Sequence, residues 1–307
     1  MTGRVALASA LVGLAASLAL GCPRLAPLGD GGGGAGGSTA PATSGPGGSG
    51  GGGSGAGGGG QGGSTGVPLW PRSFGDAGRQ WVNAVATTPD GGLVVVGGYE
   101  QGFELDDELL TAAGGHDGFV ASLDAFGAVR WARHIGGGGD DEITAATVDA
   151  SGTVVVAGFH ESEIQLGDNI AAPSPRNLFV AKLSADGADI WGKLIGSGSQ
   201  AHTRPCWDML DMTGDYIDVA LDLDGNVAVA GTFVGSLALG GGVAGGNDDD
   251  AFVAKLDPNG NELWTRAFVQ PEGQELFAVD VRPNGSLVVA GGYVGMASFG
   301  GGTFEDN

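Results

Sequence analysis

Beyond residue 66 the apolar positions fall in short runs of Val, Ile, Leu, Phe and Trp alternating with small residues. No ten-residue stretch carries a helical period, so the pattern predicts strands throughout. Four runs close on glycine: Val94-Val-Val-Gly-Gly98, Val154-Val-Val-Ala-Gly158, Val227-Ala-Val-Ala-Gly231 and Leu287-Val-Val-Ala-Gly291. Six residues before each closing glycine stands another, at Gly92, Gly152, Gly225 and Gly285. Asp224-Gly225 and Asn284-Gly285 suit hairpin turns that need positive φ. A second marker, Phe-Val-Ala, begins at Phe119, Phe179 and Phe252 and leads into segments that align without a gap, ending at Trp131, Trp191 and Trp264. With Trp70 these tryptophans stand 61, 60 and 73 residues apart.

The chain is therefore internally repeated. Each unit reads as a hairpin around the turn glycine, a short strand, then a Phe-Val-Ala-x-Leu strand turning at glycine into the next tryptophan strand. About four short strands in about 60 residues is the size of one β-propeller blade. A blade cannot bury both faces alone and must stack on neighbours. A β-sandwich or a β-solenoid is the competing architecture, although such a unit is too long for a solenoid rung. The regular tryptophan spacing points to packing between blades, not to ligand platforms. From closing glycine to Phe is 21 residues in three units, which would put the fourth Phe near position 312, whereas the sequence ends at Asn307. The expectation is about 3.6 units of a propeller that needs at least four. A longer parent protein, an N-terminal strand around Trp70 completing the last blade, or edges paired between subunits would each supply the rest.

The Asp-x-Phe-Val-Ala-Lys-Leu-Asp-x-x-Gly-x-x-x-Trp pattern resembles the SBBP-type β-propeller repeat of bacterial surface proteins. More distantly, Lys255-Leu-Asp-Pro-Asn-Gly-Asn-Glu-Leu-Trp264 is similar to the tryptophan-docking motif of quinoprotein-like propellers, with one residue fewer between Asp257 and Gly260 and no Thr before the glycine. The resemblance spans roughly residues 67–307. It implies an architecture and is almost silent on function.

The N-terminus reads as an address. Arg4 precedes an apolar run from Val5 to Leu20, the layout of a secretory signal and too short for a permanent span. Its end, Leu18-Ala19-Leu20-Gly21-Cys22, resembles the lipobox of bacterial lipoproteins, which implies a lipidated Cys22. From Gly31 to Gly66, 21 of 36 residues are Gly, with Ser, Ala, Thr and Pro filling nearly all the rest. Such a segment has too little apolar surface to offset its ordering entropy and is expected to be a disordered tether. Pro23 after the cysteine is no Asp-type signal for inner-membrane retention, which favours the outer membrane in an envelope that has one.

The formal net charge is −22, and residues 67–307 hold 34 acidic and 11 basic side chains. That balance excludes a nucleic-acid groove or a basic membrane-surface patch. Two cysteines exclude a disulfide scaffold.

The third unit is irregular, with about 13 extra residues falling within Gly196–Asp215 and including His202, Cys206 and Trp207 with Met209 and Met212. An insertion on a rigid scaffold is a candidate binding surface, and a tolerated surface loop is the plain alternative. Cys206 lacks a base at any family spacing from the four histidines, so no nucleophile is assigned. The acidic groups Asp106-Asp107-Glu108, Asp140-Asp141-Glu142 and Asp248-Asp249-Asp250 offer oxygen ligands for Ca²⁺. Asp222-Leu-Asp-Gly-Asn226 looks like half a calcium loop, but the closing acid would be residue 233, which is Phe. Turn chemistry and solvated charge explain these acids equally well. No carboxylate pair marks a glycosidase, and Gly136-Gly-Gly-Gly139, followed by acids and no Lys, fails as a phosphate cradle.

These readings lead to an all-β chain with a lipoprotein signal peptide over 1–22, a Gly/Ser-rich linker over 23–66 and β-propeller repeats over 67–307. The expected role is a non-enzymatic binding or structural module, lipid-anchored in the bacterial cell envelope, with a protein or glycan ligand and no cofactor beyond an optional Ca²⁺. The alternatives are the propeller portion of a larger secreted enzyme and a scaffold for outer-membrane assembly.

Overall fold

The computed structural model describes residues 71–76, 78–167, 169–171, 176–197, 217–246, 248–271, 273–299 and 303–305, together with Val5–Ala8. The chain divides into residues 1–22 with 68–307 and a separate unit of 23–67, the latter wholly outside the described residues. The described part is all-β and antiparallel, without a helix among the described residues. Its strands are grouped in several sheets, none closed on itself.

The repeat read from the sequence is a repeat of pairing. In the first unit, strands Gln80–Thr87, Leu93–Tyr99, Asp117–Leu123 and Val129–Ile135 pair in chain order. The second unit repeats this with Glu142–Val148, Val154–His160, Asn177–Leu183 and Asp189–Ser197. The third does so with Ile217–Leu221, Val227–Phe233, Asp250–Leu256 and Glu262–Phe268. The fourth has two strands, Gln274–Val281 and Leu287–Tyr293.

The single short strand expected between the second and third strands of each unit is in fact a small hairpin. It comprises Gly102–Leu105 with Glu108–Thr111, Ile164–Leu166 with Asn169–Ala171, Ser236–Leu237 with Val243–Ala244, and Met296–Ser298 with Thr303–Glu305. The third of these adds to the edge of the second sheet through Gly196 and Leu237. Among the described residues Pro71–Phe74 pairs with Val5–Ala8 and not with the fourth unit.

Successive sheets pack face to face. Val94, Val96 and Val120 of the first sheet meet Ile143, Val154, Val156 and Phe179 of the second. Val155, Ala157 and Val180 from the other face of the second meet Val219, Val229 and Phe252 of the third. Strands buried on both faces need no polar alternation, which is why Val154–His160 and Val227–Phe233 are buried at every position.

The closing glycine has a specific cause. Opposite Gly158 the first strand of the second unit bulges: Ile143 pairs with Gly158 and Ala145 with Ala157, leaving Thr144 extra. A Cβ on Gly158 would collide with the Glu142 carbonyl, and Gly97 and Gly291 meet the carbonyls of Trp81 and Glu275 in the same way. The sequence reading was therefore one residue off in the first unit. The bulge glycine is Gly97, not Gly98, and the turn glycine with positive φ is Gly91 (86°), not Gly92. The neighbouring Gly98 is required for another reason, since the Trp81 indole lies over it. The bulged residue links units: Asn83 Nδ2 donates to the Ile143 carbonyl at 2.9 Å, and Thr144 Oγ1 donates to the Ile217 carbonyl at 3.2 Å.

Two described tryptophans lock neighbouring units, as their spacing suggested. Trp131 Nε1 donates to the Ala185 carbonyl at 2.9 Å, and Trp191 Nε1 donates to the Pro258 carbonyl at 3.0 Å. Each indole covers the turn glycine of the next unit, where a Cβ would come within 2.8 Å (Gly187) or 2.9 Å (Gly260) of the ring. Replacing Trp131 by Phe removes the donor and part of the ring contact over Gly187, so it is expected to cost at least about 1 kcal/mol, read as a lower urea midpoint at unchanged slope. An unchanged midpoint would show that the hydrogen bond contributes nothing.

Candidate functional site

Because the strands run up and down in chain order, the connections separate into two ends. The tight turns at Gly91, Gly127, Gly152 and Gly187 gather at one end. The links between units and the bases of the small hairpins lie at the other end, while the hairpin tips reach back to the tight turns, as Asp106 does to the Val129 amide.

At the junction of the first two units, His116 lies between two acids. Its Nδ1 is 3.2 Å from Asp140 Oδ1 and its Nε2 is 3.8 Å from Glu142 Oε2. The Trp81 ring meets the imidazole edge-on at 5.3 Å. Glu142 Oε1 accepts from Trp81 Nε1 and from Asn83 Nδ2, both at 2.6 Å, so the first unit's inner strand positions the second unit's acid. Arg79 stacks 5.8 Å over Trp81 and pairs with Glu100. Behind this surface Glu161 pairs with Arg176 at 3.5 Å. Burial pushes the Glu161 carboxyl above its ordinary range; Arg176 pulls it back, while Asp140 and Asp141 add to the rise. The surface thus combines an aromatic edge, an imidazole and several carboxylate acceptors, the chemistry of a polar ligand site.

The candidate residues read from the sequence fare differently. Cys22, His202, Cys206 and Trp207 lie outside the described residues. The insertion carrying the last three leaves Ser197 and returns at Ile217, at the same end of the strands as His116.

The acidic groups are each split into separate jobs. Asp106 holds a hairpin tip at φ 54°, pairs with Arg72 and accepts from the Val129 amide at 3.0 Å. Asp141 is fully buried: Oδ2 accepts from Gly137 N at 2.7 Å and Ser162 Oγ at 2.9 Å, and Oδ1 from Glu161 N at 3.0 Å. Asp250 is likewise buried and accepts from the Gly246 amide at 2.6 Å. The apparent half of a calcium loop is a turn. Asp222 Oδ1 accepts from the amides of Asp224 and Asn226, both at 2.9 Å, and Oδ2 faces Lys255 Nζ at 2.8 Å. Burial opposes ionisation here, but Lys255 and Asn226 outweigh it and hold the Asp222 carboxyl down to about 2. No group of three or more potential metal ligands occurs among the described residues.

Several groups gave no sequence signal. Asp117, fully buried, accepts from the Ala113 amide at 2.5 Å and lies 2.9 Å from His134 Nε2. His160, buried against Phe179, has its pKa lowered by burial while its Nδ1 is 2.7 Å from the Ser162 carbonyl. Asp218 on the third unit's inner strand is buried and accepts from the Val279 amide at 2.8 Å; burial raises its pKa to about 6. Glu275 on the fourth inner strand is raised to about 7, chiefly by burial and further by Asp249. A repeated acid before a Phe-Val-Ala strand, as at Asp117 and Asp250, was the one trace visible beforehand.

No family model matches the chain, and no curated protein matches it. Among solved structures it is similar to a protein of unknown function from Bacteroides caccae, at 14% identity and a TM-score of 0.41. The match covers 76% of this chain and spans 66% of that one.

Proposed function

We propose that the chain is a lipid-anchored cell-surface protein whose repeats form blades of a β-propeller and serve as a binding module for a protein or glycan ligand. The observation that carries this reading is a single sequence order: a lipobox-like end at Cys22, a Gly-rich tether, then repeats with one recurring pairing pattern. Stacked four-stranded meanders locked by a tryptophan on the next unit's turn are what a propeller requires. The strongly acidic balance of residues 67–307, with 34 acidic against 11 basic side chains, suits a binding module better than a catalytic one.

The anchoring part is tested by fractionating cells that produce Cys22→Ser. The variant is expected to leave the membrane fraction and to lose incorporation of labelled palmitate. Equal membrane retention without label would overturn the anchor.

A further inference from the structure

One register position separates the first unit from the next two. Ser122, Lys182 and Lys255 hold the same place in the third strand, opposite Trp131, Trp191 and Trp264 of the fourth. Lys182 Nζ donates to the Pro258 carbonyl at 3.2 Å, a carbonyl that also accepts from Trp191 Nε1 at 3.0 Å. Lys255 Nζ faces Asp222 Oδ2 at 2.8 Å. In both later units an ammonium is thus lodged among the tight turns.

In the first unit the side chain stops at a hydroxyl, and a hollow of about 210 Å³ lies between the turns of the first two units. Ser122, which lines it, is 2% exposed, and its hydroxyl forms no hydrogen bond among the described residues. Ala185 also lines the hollow and stands in its turn where Pro258 stands in the next. Among the described residues its carbonyl accepts from Trp131 alone, although a carbonyl oxygen has two lone pairs. A turn carboxylate is present as well. Thr88 takes the place of Asp222, and its hydroxyl donates to Asp90 Oδ1 at 2.5 Å. Arg130, the cation lining the hollow, is paired with that same Asp90.

We propose that this hollow binds a primary alkylammonium group of about the length of a lysine side chain. The alkyl chain lies on Val94 and Val154, the apolar wall, and the ammonium donates to the Ala185 carbonyl and the Ser122 hydroxyl. Three donors on one compact charge match these acceptors, and the 34 acidic against 11 basic side chains of residues 67–307 raise the local concentration of cations. A free amine and the lysine side chain of a partner both present this group. The inference goes beyond the proposed surface role, because it rests on the register of the repeats and requires neither the lipid anchor nor the insertion.

The test uses the full chain with Cys22→Ser and follows the Trp131 indole N–H resonance, identified by its loss in Trp131→Phe. That proton shares the Ala185 carbonyl with the incoming ammonium. n-Butylammonium is expected to shift it saturably with a Kd at or below about 1 mM, and n-butanol and butyrate to bind at least about 10-fold more weakly. Nα-acetyllysine amide distinguishes the sources: tighter binding than n-butylammonium marks a partner's lysine, weaker binding a free amine, and either supports the site. Ser122→Lys brings its own ammonium and Ser122→Met fills the space without charge. Each is expected to weaken n-butylammonium at least about 10-fold while unfolding in one cooperative transition. No shift up to about 10 mM, an equal response to n-butanol, tighter binding of butyrate, or an unchanged response in a folded Ser122 variant would overturn the proposal. None of these readouts depends on lipidation, so failure here leaves the anchoring reading untouched.

Discussion

Replacing Gly158 by alanine is expected to remove about 4 kcal/mol or more of stability, close to half of what a domain commonly has. The new methyl group would be driven into the Glu142 carbonyl and against Ile143 Cα at 2.9 Å, and both belong to backbone. Backbone in the middle of a four-stranded sheet cannot rotate away as a side chain would. Relief requires opening the bulge at Thr144, which also breaks the Thr144 hydroxyl's bond to the Ile217 carbonyl in the next unit. One methyl thus strains the sheet and loosens the junction. The measurement is urea unfolding followed by tryptophan fluorescence. Gly138→Ala is the control, because a Cβ there meets nothing within 4 Å and its stability should change by less than about 0.5 kcal/mol. Equal behaviour of the two variants would show that the tight approach at Gly158 is not a constraint.

The second large effect is a pH dependence centred on Asp218. Its side chain is buried on an inner strand, and burial raises its pKa from 3.8 to about 6, against the pull of the Val279 and Val219 amides. The folded state therefore holds this proton more tightly than the unfolded chain does. That stabilising contribution is complete below about pH 4 and is lost as the pH rises through about 6. A shift of about two pH units corresponds to about 3 kcal/mol. Asp218→Asn keeps an oxygen for the Val279 amide and removes the titration. Relative to the parent chain, the variant should gain about 2–3 kcal/mol between pH 4 and pH 8. The comparison is made as a difference because other groups titrate nearby. Glu275, raised to about 7, acts in the same direction. His160, kept neutral by burial, acts against it as acid charges the unfolded chain. A difference between variant and parent that stays flat with pH would refute the assignment to Asp218.

Much of the strand order was legible because its signals are short-range. Alternation with period two, the turn glycines Gly152, Gly225 and Gly285, and the Phe-Val-Ala runs each act within a few residues. The tryptophan reading holds at Trp131 and Trp191, each of which meets the equivalent turn of the next unit, whereas Trp264 is 43% exposed and Trp70 lies outside the described residues. The misplacement of Gly97 as Gly98 shows where such reading ends. Both positions hold glycine, and only the bulge opposite decides which of them must lack a Cβ.

The candidate site was far less legible. Asp140, Asp141 and Glu142 are consecutive acids of identical character in the sequence, yet one faces His116, one is buried among amides and a hydroxyl, and one accepts from Trp81. Apart from the Gly137 amide four positions from Asp141, their neighbours lie about 20 to 60 positions away, so no local pattern could distinguish them. What the sequence by itself determined is the all-β character, the repeat unit and its turns, because alternation and turn chemistry are written in adjacent residues. The tertiary structure alone decided which glycine bears the bulge and which carboxylates are buried. Those properties depend on what the stacking of one unit on the next brings within a few ångströms.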